Sequence, residues 1–169
     1  MSRSSPNAAH GWRIALRTGA ETQELLALWV ASWRATYADI AFEGRCAWLL
    51  DRLARLEAKG AQTLCLWDET DKSLLGFVTI DPESGWLDQL CVHPQRFGAG
   101  VGAALLAAAR ERSPSLIRLD VNADNDRAVR FYRREGFKRL GPGQPSQSGR
   151  ETLILEWRPS SVERCDKER

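Results

Sequence analysis

The sequence predicts an α/β (α+β) domain in which a mixed sheet carries helices on its faces. Three observations support this. Short turns link three consecutive strand-like runs between Gln62 and His93. A glycine-rich turn then opens a helix at Val101. From Leu116 to Leu140 the chain reads strand, helix, strand. Hairpins feeding one strand–helix–strand unit require both antiparallel and parallel neighbours, with helices covering the sheet.

The elements follow from local pattern. Residues 1–11 are small and polar, and disorder is expected there. A single domain is expected over 12–158, followed by a charged, loose tail over 159–169. Trp12 to Arg17 alternates as a first strand. Thr22 is the expected N-cap of a first helix, in which Leu25, Leu28, Trp29 and Trp33 recur at helical spacing to about Tyr37. Cys46 to Lys59 is a second helix, stopped by Gly60. Strands are expected over Gln62–Asp68, Leu74–Ile80 and Trp86–His93, and a helix over Val101–Arg112. Leu116–Val121 is a strand, Asp126–Glu135 a helix ended by Gly136, and Phe137–Leu140 and Thr152–Trp157 the last strands.

Bulk composition excludes several functions. With 43% hydrophobic and 27% charged residues, the 169-residue chain suits one globular core. A net charge of +2, without a basic run, gives no footprint for nucleic acid. No apolar run approaches a membrane span, and the N-terminus lacks the apolar core of a signal peptide, so no membrane association and a cytoplasmic location are expected. The four cysteines are far apart and fit neither a zinc site nor a disulfide framework. No metal is expected.

Two motifs carry the chemistry. The first runs V-H-P-Q-R-F-G-A-G-V-G-A-A-L-L from Val92 to Leu106. Alternating Gly98, Gly100 and Gly102 open a helix whose first N–H groups lack intrahelical partners, and such a turn is a cradle for a diphosphate. By pattern it also satisfies the dinucleotide fingerprint, with Asp120 about twenty residues on. Three features weigh against a dinucleotide. Five residues separate strand from glycine, hairpins precede the turn, and little chain follows it. The second motif is N-D-R-A-V-R-F-Y-R-R-E-G-F, from Asn125 to Phe137. Asn125 and Tyr132 share a helix face two turns apart, so an amide and a phenol can contact one elongated ligand. The plain alternatives are a cap for Asn125 and core packing for Tyr132.

In this order and spacing, the two motifs resemble the GNAT superfamily of acetyl-coenzyme-A-dependent N-acetyltransferases. The resemblance covers Trp12 to about Trp157 in element order and Leu87 to Phe137 in motif detail. It implies a mostly antiparallel sheet of six to seven strands, flanked by about four helices and splayed at a central parallel strand pair. It implies that the backbone amides of Phe97, Gly98, Ala99, Gly100, Val101 and Gly102 bind the pyrophosphate of acetyl-CoA. Phe97 stands where the family carries Arg or Gln, and Arg96 is the nearest replacement charge. Leu90, Cys91 and Val92 would pair with the pantetheine arm, with a Val92 or Cys91 amide polarising the thioester carbonyl. Asn125 would contact the coenzyme and Tyr132 would protonate the departing thiolate. Asp88 is the expected base on the central strand, its alternative being a solvated carboxylate. His93 is a second candidate and otherwise structural.

The reaction implied is direct attack of a primary amine on acetyl-CoA, the acceptor being a small molecule or an amino-acid or peptide amine. An acyl-CoA-binding module without turnover is the alternative. Trp33 and Tyr37, four residues apart, are the candidate walls of the acceptor site, with Asp39 attracting its cation. The resemblance is compatible with a homodimer.

Overall fold

The computed structural model describes residues 10–160. Strands β1 (Trp12–Leu16), β2 (Gln62–Asp68), β3 (Leu74–Ile80) and β4 (Leu87–Val92) form one antiparallel sheet in the order β1-β2-β3-β4. Strands β5 (Ile117–Asn122), β6 (Lys138–Pro142) and β7 (Thr152–Trp157) form a second, in the order β5-β7-β6. Helices α1 (Thr22–Thr36), α2 (Cys46–Ala58), α3 (Val101–Arg112) and α4 (Asp126–Arg134) flank them. The two sheets meet through a single parallel bridge, Trp86 with Arg118. Beyond it β4 and β5 diverge, and each leaves an edge facing the gap.

Two apolar clusters hold this arrangement. On one side α3 packs Val101, Leu105 and Leu106 against Leu64, Val78 and Ile80 of the first sheet and Ile117, Leu119 and Leu155 of the second. That single cluster joins both sheets across the gap. The seat is close at Gly76 of β3, where a Cβ would lie 2.6 Å from the Cys91 carbonyl and 2.8 Å from a Leu105 methyl. A side chain there would lift α3 off the sheet. On the opposite face Leu25, Leu28 and Trp29 of α1 and Leu49 and Leu53 of α2 close over Phe77 and Cys65.

Element order matches the expectation, and the differences are local. Thr22 is not the N-cap of α1. Glu21 holds that place, and its carboxylate turns back to the amides of Thr18 and Gly19 at 2.9 and 3.1 Å. Phe42–Arg45 forms a 3-10 turn, too short for any hydrophobic period to mark. The five residues before the glycines also contain one, Pro94–Arg96, capped by the His93 Nδ1, which accepts from the Gln95 amide at 3.2 Å. His93 thus caps a turn. Strand β6 runs two residues further than expected, ending on Pro142, which the sheet edge tolerates. The expected disorder over 1–11 and loose tail over 159–169 lie almost wholly outside the described residues.

Candidate active site

Divergence of β4 and β5 opens two cavities that share a wall. The first, of about 490 Å³, lies between the glycine turn, the start of α3 and the side of α4. Gly98 and Gly100 adopt φ of +78° and +89°, a left-handed backbone that glycine takes without Cβ strain. Gly100 is the N-cap of α3. The amides of Phe97 and Ala99 donate within the turn, to Pro94 and Arg96 carbonyls at 3.3 and 3.1 Å. Those of Gly98 and Gly100 make no backbone hydrogen bond among the described residues. The first N–H groups of α3, on Val101, Gly102 and Ala103, have no partner within the helix. Of the six amides expected to form the cradle, those of Phe97 and Ala99 are thus engaged within the turn, while those of Gly98, Gly100, Val101 and Gly102, and of Ala103 beyond them, have no backbone partner among the described residues.

The edge of β4 lines the same cavity through Leu90, Cys91 and Val92. His93 donates to the Leu75 carbonyl at 2.8 Å, and this fixes the phase of the β3–β4 ladder. In that phase the Cys91 peptide groups turn to Phe77, while those of Leu90 and Val92 turn to the gap. Of the two oxyanion donors the sequence left open, Cys91 is thus committed to the ladder. Val92 is the one facing the cavity.

Helix α4 supplies the opposite wall. Asn125 is its N-cap, accepting from the Ala128 amide at 3.3 Å, and it lines both cavities with its amide nitrogen unpartnered among the described residues. Tyr132 is buried, yet its hydroxyl makes no hydrogen bond among the described residues, and it too lines both cavities. Burial, with smaller contributions from Cys91 and Asp120, pushes its phenol well above the ordinary tyrosine range. The hydroxyl therefore stays protonated at neutral pH.

Phe97 lines the first cavity beneath a cation. The Arg127 guanidinium sits 3.8 Å from its ring centroid and donates to the Thr36 hydroxyl at 2.7 Å. Arg96 is instead turned to Asp68, 3.4 Å away. The positive charge facing the cavity beside Phe97 thus includes one from α4, a long-range pairing that spacing along the chain does not reveal.

The second cavity, about 350 Å³, lies on the α1 and α2 side of the gap and is bounded by Pro145–Ser148 of the β6–β7 loop. Trp29, Trp33, Phe42 and Trp48 give it aromatic walls. Trp33 stacks on Phe42 and on Tyr37, with centroids 5.6 and 5.9 Å apart. Tyr37 lines the cavity, but its hydroxyl is engaged: it donates to Asp124 at 2.6 Å and accepts from Asn122 at 3.1 Å. Burial, then the Asp124 contact, pushes that phenol up to about 12. Tyr37 is thus a tie between α1 and the start of α4. Asp39 is exposed and lines neither cavity, so a role in attracting the acceptor cation finds no geometric support.

Two carboxylates reach the second cavity, Asp88 and Asp120. Asp88, expected as the base or else as a solvated carboxylate, is held in an ion pair. Its side chain is only 4% exposed, and Arg52 of α2 grips both oxygens at 2.8 and 2.5 Å. Asp120, on β5, has no such partner. Asp120 is open to the cavity, and its packed surroundings and the nearby Asp88 charge push its carboxyl above the ordinary carboxylate value, with Arg52 opposing them. In the sequence Asp120 stands out only through the dinucleotide fingerprint, about twenty residues beyond its glycines. Its neighbours are distant in the chain, and only strand pairing brings them together.

Two cavities thus meet at an unpartnered phenol, one of them under a helix-opening glycine turn. Residues 22–137 match the model of the acetyltransferase (GNAT) family, and the chain belongs to that family. It is 32% identical over 135 residues to the peptidyl-lysine N-acetyltransferase YjaB of Escherichia coli, covering 80% of this chain and 88% of that protein. It is 39% identical over 130 residues to the mycothiol acetyltransferase of Kineococcus radiotolerans, covering 73% of this chain and 42% of that longer protein. In fold it matches the crystal structure of the PaiA N-acetyltransferase of Thermoplasma acidophilum in complex with coenzyme A, with a TM-score of 0.68 and 21% identity, covering 88% of this chain and 99% of that one. The protein is an acetyl-CoA-dependent N-acetyltransferase, transferring an acetyl group to an amine. Its fold is the expected one, two antiparallel sheets flanked by four helices. No helix among the described residues is long and apolar enough to cross a membrane, and no group of three or more His, Cys, Asp and Glu there could hold a metal ion.

Proposed function

We propose that acetyl-CoA occupies the cavity under the glycine turn and a primary amine the aromatic cavity, the two reacting at Tyr132. The observation that carries this reading is the shared wall: Trp33, Leu90, Asn125, Ala128 and Tyr132 line both spaces. The pyrophosphate would take the free amides of Gly98 and Gly100 and those opening α3, assisted by the helix dipole and by Arg127. The pantetheine arm would pair with the gap-facing edge of β4, and Asn125 would donate to it. The Val92 N–H would hold the thioester oxygen as negative charge develops, an interaction worth a few kcal/mol of barrier in typical acyl transfer. Side-by-side binding removes much of the entropic cost of a two-substrate reaction.

For the acceptor we infer a lysine-type amine, on a peptide or a small molecule. Trp29, Trp33, Phe42 and Trp48 line the cavity and offer an apolar wall to the alkyl chain of such an amine. The YjaB relative, named for peptidyl-lysine, supports the same class. We place the reaction in the cytoplasm, a reading supported by the free thiols of Cys46, Cys65 and Cys91.

Calorimetry with coenzyme A, followed by thiol release from acetyl-CoA with lysine peptides and small amines, tests this. Coenzyme A binding with thiol release is expected. Binding without release from any amine would favour a carrier or sensor, and no binding would end the reading.

A further inference from the structure

Removing a proton from the acceptor is the step that the motifs leave without a clear agent. An alkylamine is an ammonium at neutral pH and has no lone pair with which to attack. Of the carboxylates lining the aromatic cavity, Asp88 has both oxygens taken by Arg52, and one of them also accepts from the Gln89 amide at 3.2 Å. Taking a proton there would break a bidentate ion pair. Asp120 lies on the same side of the gap, on β5, and its carboxylate has no side-chain hydrogen-bond partner among the described residues. The groups facing it are Asp88 of β4, Arg52 of α2 and the Tyr132 phenol of α4. Its neighbours along β5 are already engaged: Arg118 pairs with Glu156 at 2.7 Å, and Asn122 donates to Tyr37.

We propose that Asp120 is the general base of the reaction, while Asp88 stays paired with Arg52 and exchanges no proton. The assignment rests on the acetyl-transfer reading above. The ammonium gives one proton to the Asp120 carboxylate, directly or through one water. The freed lone pair forms the C–N bond at the thioester carbon, and the C–S bond breaks. The departing sulfur takes the Tyr132 proton. The new amide nitrogen sheds its second proton to the phenolate, and Asp120 releases its own to solvent. One ammonium and one acetyl-CoA thus become one amide, one coenzyme A thiol and one proton. Asp120 suits this work by its place: its carboxylate is open to the aromatic cavity and is not tied into an ion pair among the described residues.

The test compares benzylamine, protonated near neutral pH, with aniline, which is similar in shape and already neutral there. Asp120→Asn is expected to cut kcat/KM for benzylamine by about 10²-fold and to leave aniline nearly unaffected, a loss within the usual range for general bases. The acidic limb of the benzylamine pH profile should vanish in Asp120→Asn, and should persist in Asp120→Glu and in Asp88→Asn. Equal loss for both amines, no loss for either, or a limb erased by Asp88→Asn instead would overturn the assignment.

If the enzyme acetylates neither amine, carboxyl-labelled aspartate NMR on the full chain decides. The resonance missing in Asp120→Asn should titrate above the ordinary carboxylate range, and a midpoint at or below that range would overturn the proposal. Failure of the wild-type protein to bind coenzyme A would instead remove the functional reading, whatever Asp120 does in the titration.

Discussion

Tyr132 sits where packing alone would accept a phenylalanine. Phe131 and Phe137 flank its ring edge-on, with centroids 5.1 and 5.3 Å away, and its hydroxyl is left for the cavity. Tyr132→Phe should keep the fold and acetyl-CoA affinity and lower kcat by about 10²-fold, as loss of a positioned acid does. Steady-state kinetics beside calorimetry would check both halves, and an unaltered kcat would remove the acid role. Asp120 makes a second prediction, about stability. Its folded pKa is raised, so the folded state binds this proton more tightly than the unfolded chain does. The sign follows: stability from this group is full below the unfolded carboxylate pKa and is lost as pH rises through the folded one. Asp120→Asn should therefore raise Tm near neutral pH, and the gain should fade in acid, as thermal scans across pH would record. Asn125 and Tyr132 were legible in the sequence because helical spacing puts them on one face. Asp120 was not, because which carboxylate is gripped by an arginine depends on α2 meeting β4 across 36 residues of chain.

Among the elements, the glycine turn was the most readable and still held a surprise. Its residue types announce a backbone that must come close to an anion. They do not say which amides the turn itself consumes: Phe97 donates to Pro94 and Ala99 to Arg96. Gly100→Val should abolish measurable coenzyme A binding in calorimetry while circular dichroism stays native, since a β-branched residue is strained at φ +89° and adds bulk at the cradle. Normal affinity would contradict the cradle. Strand β4 teaches the same lesson. Its apolar run marked it as a strand, but which peptide groups face the gap depends on ladder phase. A shift of one residue would have offered Cys91 in place of Val92.

For the whole molecule, hairpins and one crossover unit predicted a mixed sheet, and the sheet is present in two parts. Nothing in strand composition marks the point where β4 and β5 part. It is set by Trp86 bridging Arg118 and by the cluster around α3 that holds both sheets from one side. The other face relies on the cluster around Phe77, which is fully buried. Phe77→Ala should cost about 3–5 kcal/mol, the usual range for emptying a phenylalanine site. At roughly 2–4 °C per kcal/mol for a chain of this size, Tm should fall by about 6–20 °C in calorimetric scans. The common wall of the two cavities also bears on inhibition. A molecule that joins coenzyme A to an alkylamine through a short stable link would fill both spaces at once. Its second half would then bind at an effective concentration set by the link, and the conjugate should exceed the better of its two parts in affinity by about 10²-fold or more, measured by competition. The narrow place where substrates meet is, for a designer, a place where one ligand can hold on twice.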